Sequence, residues 1–174
     1  MLGDVHNLVL LVRFANQTSL FSNADFDPVF NGAVGSGSVR HYYSEVSYGK
    51  VSLVSTIVGW IDLPEDDTYY AYNESVMGHP EHMIEHAVAI LNAQGFDFTG
   101  LDSDNDGYID AIDIIHSGPG YETSGNVDHI HSHYYGPMWN TITTHDGMKI
   151  DAYHTEPEVR GDGVSITGIG VIVH

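Results

Sequence analysis

The central strand of the expected fold is encoded by Asn7-Leu8-Val9-Leu10-Leu11-Val12-Arg13-Phe14. This apolar run is too short and too rich in branched side chains for a membrane helix. A continuous apolar run of this length is typical of a strand that is buried on both faces of a sheet. We therefore expect this stretch to anchor the sheet of the protein.

The neighbouring segments alternate between helical and extended patterns. Ser38 is a plausible N-cap for the second expected helix, and Gly95 ends the third. The expected helices cover 25–30, 39–46 and 81–93, and the further expected strands cover 51–58 (antiparallel or edge), 109–116 and 148–154. These elements predict one domain over residues 1–174, with an α/β (α+β) fold in which helices pack on a twisted mixed β-sheet.

The composition limits the classes of partner. Five basic and 24 acidic residues among 174 give a formal net charge of −19, which argues against nucleic acid or anionic lipid as partners and favours cations. No apolar stretch approaches the ~18 residues that a membrane span requires. The chain contains no cysteine, so disulfide or thiolate chemistry is excluded.

The most specific motif is an aspartate-rich loop, Asp102-Ser103-Asp104-Asn105-Asp106-Gly107-Tyr108-Ile109-Asp110-Ala111-Ile112-Asp113. It has oxygen donors at positions 1, 3, 5, 9 and 12 of a calcium loop, glycine at position 6 and a backbone carbonyl at position 7. Alternate positions of a tight turn direct short carboxylates at one point, as Ca²⁺ requires. The sequence therefore predicts a structural Ca²⁺ bound by Asp102, Asp104, Asp106, Tyr108, Asp110 and Asp113.

The loop departs from the EF-hand pattern at its end. Asp113 stands where an EF-hand has a bidentate glutamate, and the isoleucines around it favour a strand over an exit helix. We therefore do not expect an EF-hand pair. The alternative is a solvated acidic turn, although five aspartates this close would repel one another without a cation.

The 12 histidines suggest a transition-metal site, and two groups have suitable spacing. His82-Met83-Ile84-Glu85-His86 fits the H-x-x-E-H pattern of inverted zinc proteases, with Glu156 or Glu158 as a third ligand. The apolar stripe of this helix, however, leaves both histidines on the polar face, which favours a solvated surface. In the second group, His129, His131 and His133 alternate along an extended segment and could share a metal or line a cleft. This group lies in a region, 118–146, with little periodicity.

Five segments carry a resemblance to a known family. They are 8–14, 38–50, Gly59-Trp60-Ile61-Asp62-Leu63-Pro64, the 102–113 loop, and Ile115-His116-Ser117-Gly118-Pro119-Gly120. Their order and spacing resemble the immune inhibitor A family of secreted bacterial metallopeptidases (peptidase family M-six), from about Asn7 to His174. The resemblance implies a zincin-like upper subdomain, an extracellular location and a protein or peptide substrate.

The same resemblance implies a catalytic Zn²⁺ in the full-length parent. In the family a glycine-containing apolar segment leads into H-E-x-x-H, so His174 would be the first zinc ligand. The motif's glutamate would take a proton from the metal-bound water that attacks a peptide carbonyl. Because that glutamate and the second histidine are not among the 174 residues, we expect this chain to be inactive by itself. The alternative hypothesis is a non-catalytic, calcium-stabilised binding module.

Overall fold

The protein folds around a five-stranded sheet in a computed structural model that describes residues 3–71 and 78–173. The strands are β1 (Gly3–Arg13), β2 (Val51–Asp62), β3 (Ala111–His116), β4 (His133–Tyr135), β5 (Ile142–Thr143), β6 (Lys149–Ile150) and β7 (Tyr153–Pro157). The helices are α1 (Asn23–Asn31), α2 (Val39–Val46), α3 (Asp67–Tyr70), α4 (Glu81–Gln94), α5 (Tyr121–Ser124) and α6 (Ile169–Ile172). A mixed α/β fold, as expected from the sequence, is confirmed.

The main sheet has the order β2-β1-β3-β7-β4. Neighbouring strands run parallel, except that β4 runs antiparallel to β7. β1 lies inside the sheet between β2 and β3, and its residues from Leu8 to Val12 are fully buried. The continuous apolar run of β1 is explained by this position, because helices cover both faces of the strand.

Each face of the sheet has its own apolar core. Leu8 and Leu10 of β1 belong to the core that includes α4, on what we call the α4 face. Val9 and Leu11 point the other way, into a smaller core with α1, α2 and Ile172 of α6, on what we call the α1–α2 face. Because side chains alternate along a strand, even-numbered residues of this part of β1 point to the α4 face and odd-numbered residues point to the α1–α2 face.

Capping residues explain where α2 begins and where α4 ends. Ser38 accepts a hydrogen bond from the His41 N–H and caps α2, so the expected helix 39–46 is confirmed. The predicted helix 81–93 is also confirmed as α4, which ends where Gly95 takes a left-handed conformation with φ of 72°.

Three segments differ from expectation. β2 is an end strand, but it runs parallel to β1 and continues to Asp62. The strand expected over 148–154 is divided, since β6 pairs with β5 in a separate ribbon while β7 joins the main sheet. The aperiodic region 118–146 contains α5, β4 and β5. In the described residues, no helix combines the length and apolar character needed to cross a membrane.

Candidate metal centres

The first candidate centre is formed by three aspartates of the predicted calcium loop. Asp102, Asp104 and Asp106 each offer a carboxylate oxygen, and these oxygens lie within 4.8 Å of one another. Asp102 also accepts hydrogen bonds from the N–H groups of Asp106 (3.1 Å) and Gly107 (2.9 Å), which hold the turn closed. Gly107 has φ of 88°, a conformation that favours glycine. The donor set fits Ca²⁺, which prefers carboxylate oxygens.

Two other predicted Ca²⁺ ligands, Tyr108 and Asp110, lie outside the three-aspartate group and make different contacts. The N–H of Tyr108 donates to Asp106 Oδ1 at 2.8 Å, so Tyr108 continues the turn. Asp110 accepts hydrogen bonds from the N–H groups of His6 (3.1 Å) and Ser103 (3.2 Å) and from the Ser103 hydroxyl. The Asp110 carboxylate therefore fastens the beginning of the loop to β1 and is not part of the three-aspartate group.

Asp113 lies in a different cluster from the one that its spacing predicts. It is in the middle of β3, where its side chain contacts Asn7 and His154 on the α1–α2 face. Strand alternation explains this placement, because Ile112 and Ile114 on either side of it point into the core of the α4 face. The structure does not bring Asp113 together with Asp102, Asp104 and Asp106.

The second candidate centre, which we call the sheet cluster, consists of Asp113, His154 and Glu156. His154 Nδ1 lies 3.6 Å from Asp113 Oδ1 and 2.9 Å from Glu156 Oε2. Asn7 Nδ2 donates to Asp113 Oδ2 at 2.8 Å and so orients the other oxygen toward the imidazole. The parallel register of β3 and β7 pairs Asp113 with His154 and Ile115 with Glu156, which places the three side chains on one face.

Burial makes the sheet cluster electrostatically unusual. Glu156 is fully buried, and neither of its carboxylate oxygens has a hydrogen-bond partner. Burial raises the pKa of Glu156 to about 8, because a charged carboxylate loses hydration there. Burial also opposes the charged form of His154, but the adjacent carboxylates of Asp113 and Glu156 outweigh it and raise the pKa of His154 to about 10.

A cavity of about 760 Å³ reaches the sheet cluster from the α1–α2 face. Asn7, Asp113 and His154 line it together with Tyr43 of α2 and Val173, the residue after α6. The side chains of Asp113 and His154 keep 14% and 18% of their surface exposed, while Glu156 is closed off. A small ion therefore has access to two of the three groups.

The three loop histidines do not form a common centre. His129 Nδ1 bonds the Ser124 hydroxyl at 2.8 Å, and His131 Nδ1 bonds the Ser132 carbonyl at 2.8 Å. His133 bonds the His131 carbonyl through Nδ1 and the Tyr153 hydroxyl through Nε2, and burial lowers its pKa. His131 and His133 instead line a second cavity of about 430 Å³ between β4 and α6.

The H-x-x-E-H histidines of α4 are separated from their proposed third ligands. Tyr69 and Tyr70 bond the Nδ1 atoms of His82 and His86, each at 2.8 Å. Glu156 lies on the α1–α2 face, opposite α4, and Glu158 accepts hydrogen bonds from Leu20 and Gly118. The inverted zinc site with either glutamate is therefore wrong. His82 does lie near His79 and Glu81, in a partly exposed group on the surface of α4.

The remaining predicted ligand, His174, lies outside the described residues. The segment before it is described: α6 begins after Gly168, and Ile172 is buried in the core of the α1–α2 face. Comparison of the chain with models of protein families and with curated proteins finds no match.

Sequence reasoning missed the sheet cluster. Its members come from two strands that are distant along the chain, β3 and β7, and the calcium-loop spacing assigned Asp113 to a different site. The available signal was polarity inside apolar strands: Asn7 begins the run of β1, Asp113 interrupts the isoleucines of β3, and Glu156 lies in β7. Buried strands seldom carry charged residues without a partner, so this pattern predicts a polar site.

Proposed function

We propose that the chain belongs to a secreted zinc metallopeptidase domain of the immune inhibitor A type, stabilised by Ca²⁺ in the 102–106 loop. The observation that carries the proposal is the position of α6, which packs on the α1–α2 face through Ile172 and lies beside β7. The family resemblance puts the zinc-binding H-E-x-x-H sequence immediately after this segment, beginning at His174. A zinc centre there would be supported by the sheet.

The edge of the sheet also supports this function. β4 is the antiparallel end strand, and within the described ranges it pairs only with β7. An extended peptide can add to such a strand through backbone hydrogen bonds. The second cavity lies next to β4 and includes Gly170 and Val171 of α6, so a peptide on this edge would run beside the segment that leads to His174.

The residues of the chain then have distinct roles. His174 is a zinc ligand, and the chemistry that zinc supplies when bound is activation of water for attack on a peptide carbonyl. β4 positions the substrate backbone, and His133, held by Tyr153, lines the adjacent cavity. The calcium loop fixes the connection that leads into β3 and has no part in the chemistry.

The test uses the full-length gene product. The codons after His174 should read Glu, two residues and His, and the purified protein should cleave casein in a reaction that phenanthroline blocks. His174→Ala should abolish cleavage and remove the zinc equivalent bound at His174, while Ca²⁺ still stabilises the fold. His82→Ala is the matched control, because it also removes one imidazole and should keep cleavage. Any other continuation after His174, or cleavage that survives His174→Ala, contradicts the proposal.

A second candidate function is a non-catalytic binding module. The observation that favours it is a set of exposed aromatic rings in and near β4, since exposed apolar side chains often mark interaction surfaces. Tyr134 is 65% exposed and Trp139 is 92% exposed. A full-length protein that binds Ca²⁺ and lacks peptidase activity, but loses a partner on Trp139→Ala, would support this candidate over the first.

A further inference from the structure

The sheet cluster contains a fully buried carboxylate whose oxygens accept no hydrogen bond. Glu156 is 0% exposed, and both of its oxygens lack a hydrogen-bond partner. Its Oε2 lies 2.9 Å from His154 Nδ1, but the pair does not have hydrogen-bond geometry. A buried carboxylate without hydrogen bonds is costly, and the single imidazole of His154 is shared between Glu156 and Asp113. One imidazolium cannot balance two carboxylates, so the cluster favours a cation of higher charge.

The positions of the ligand atoms match a small cation. Two ligands of a tetrahedral Zn²⁺, each about 2.0–2.1 Å from the metal, lie about 3.3 Å apart. The two separations around His154 Nδ1, 2.9 Å to Glu156 and 3.6 Å to Asp113, fall on either side of that value. All three ligand atoms lie within 4.8 Å of one another.

The chemistry of the donors selects the ion. One imidazole nitrogen and two carboxylates suit Zn²⁺ and related divalent transition metals, whereas Ca²⁺ and Mg²⁺ prefer oxygen alone. Asn7 bonds the second oxygen of Asp113, as partners behind metal ligands commonly do. The cavity beside Asp113 and His154 provides an entry path and room for a water as fourth ligand.

We propose that Asp113, His154 and Glu156 form a second metal site, which binds one Zn²⁺ or a similar divalent transition-metal ion on the α1–α2 face. Asn7 is a positioning residue for Asp113. This site differs in its residues from the calcium loop and from the zinc centre proposed at His174, and it does not rest on the peptidase proposal. Binding would neutralise the sheet cluster and connect β3 to β7.

The first test measures the metal directly. The protein is prepared as His174→Ala with saturating Ca²⁺, so that neither of the other centres contributes, and is then titrated with Zn²⁺ or Co²⁺. We expect one tight equivalent by equilibrium dialysis and, for Co²⁺, the visible absorption of a four-coordinate ion. Absence of a tight equivalent in this folded protein overturns the proposal without requiring any variant of the cluster.

The second test assigns the metal to its ligands. Glu156→Gln keeps the shape of the side chain and removes its charge, and we expect it to weaken Zn²⁺ binding by about tenfold or more. Asp113→Asn is the second variant, since it is partly exposed and should fold if Glu156→Gln does not. His131→Ala is the matched control, because it removes an exposed imidazole outside the cluster and should change the affinity less than about twofold.

The outcomes separate this site from adventitious binding by histidines. Loss of the tight equivalent in Glu156→Gln and Asp113→Asn, with binding retained in His131→Ala, supports the proposal. Equal weakening in all three variants indicates nonspecific binding and overturns it. Loss in His82→Ala alone would assign the ion to the surface group on α4 and would also overturn it.

Discussion

The 102–106 loop and the sheet cluster both gather carboxylates, but they do so under opposite conditions. Asp104 and Asp106 of the loop are exposed, and the turn is held closed by backbone amides that bond Asp102. In the sheet cluster Glu156 is fully buried and has no such donor. Water can therefore stabilise the loop without an ion. In the sheet cluster one imidazole, His154, faces two carboxylates, so protonation of Glu156 or a bound divalent cation is favoured.

This difference separates two uses of a metal. An ion in the loop would stabilise a local turn between the α4 region and β3, and its effect should depend on Ca²⁺ concentration. An ion in the sheet cluster would remove an electrostatic penalty inside the fold, and its effect should depend on pH. The following predictions test whether the two regions behave in these separate ways.

The largest expected effect is removal of Ca²⁺ from the loop. Ca²⁺ at about 1,000 times its Kd stabilises the folded state by about 4 kcal/mol. In a domain of this size each kcal/mol changes Tm by about 2–4 °C, so EDTA should lower Tm by roughly 8–16 °C relative to saturating Ca²⁺. Thermal melting by circular dichroism in zinc-free buffer measures this difference.

Matched variants locate the calcium effect. Asp104→Asn should reduce the response of Tm to Ca²⁺, because Asp104 belongs to the three-aspartate group. Asp113→Asn should leave the response intact, since Asp113 bonds Asn7 and His154 instead. A Tm that is insensitive to both chelation and Ca²⁺ would leave the loop as a solvated acidic turn.

The next effect is the pH dependence that Glu156 contributes in the absence of metal. Its folded-state pKa of about 8 exceeds the ordinary value of 4.5, so the folded protein binds more protons than the unfolded protein between these values. Stability from this group is therefore present at low pH and is lost as pH rises from about 4.5 to 8. Glu156→Gln should remove a decrease of about 4 kcal/mol over that range.

Urea unfolding of the wild type and of Glu156→Gln at several pH values measures this effect. The difference between the two proteins reports Glu156 together with its effect on His154, whose pKa the Glu156 carboxylate helps to raise. Buried His116, whose pKa is lowered to about 4 by burial, has the opposite slope and is common to both proteins. Saturating Zn²⁺ should flatten the wild-type curve. Identical slopes in the two proteins would show that Glu156 does not carry the pH dependence.

A smaller effect tests the backbone of the calcium loop. Gly107 has φ of 88°, and a Cβ added there would meet no atom within 4 Å, so Gly107→Ala introduces conformational strain without a clash. We expect a loss of about 1–2 kcal/mol and weaker Ca²⁺ binding. Gly147→Ala is the matched control, because Gly147 has φ of 93° with equally open space outside the loop. It should cost similar stability but leave Ca²⁺ affinity unchanged, which calorimetry can measure.

The contrast between the two regions also explains what the sequence could predict. The three-aspartate group was predictable because its members are separated by one residue, so a single turn brings them together. α2 and α4 were predictable for the same reason, since Ser38 and Gly95 act on the adjacent backbone. The apolar run of β1 predicted a buried strand because burial on both faces requires it.

The sheet cluster depends on strand order, which spacing does not encode. Asp113 and His154 become neighbours only because β3 and β7 pair in parallel, and Asn7 joins them because β1 lies on the other side of β3. The same pairing explains why Asp113 is not close to Asp102, Asp104 and Asp106, since it lies within β3 between β1 and β7. Local patterns therefore predicted α2, α4 and the three-aspartate group, whereas the short helices α3, α5 and α6 and the division of 148–154 into two strands were not predicted.

The smallest expected effect comes from His82, which lies outside both regions. Its Nδ1 bonds the Tyr69 hydroxyl at 2.8 Å on the polar side of α4, so His82→Ala should cost about 1 kcal/mol by urea unfolding. The responses to Ca²⁺ and to Zn²⁺ should not change, because α4 packs on the face of the sheet opposite Glu156. His145→Ala is the matched control, because His145 is also an imidazole with one side-chain hydrogen bond, in its case to Asn92. It should lower the free energy of unfolding by a similar amount. If His82→Ala removed the tight zinc equivalent, the ion would be bound at the surface of α4. The sheet cluster would then not be a metal site, and only the 102–106 loop would remain as one.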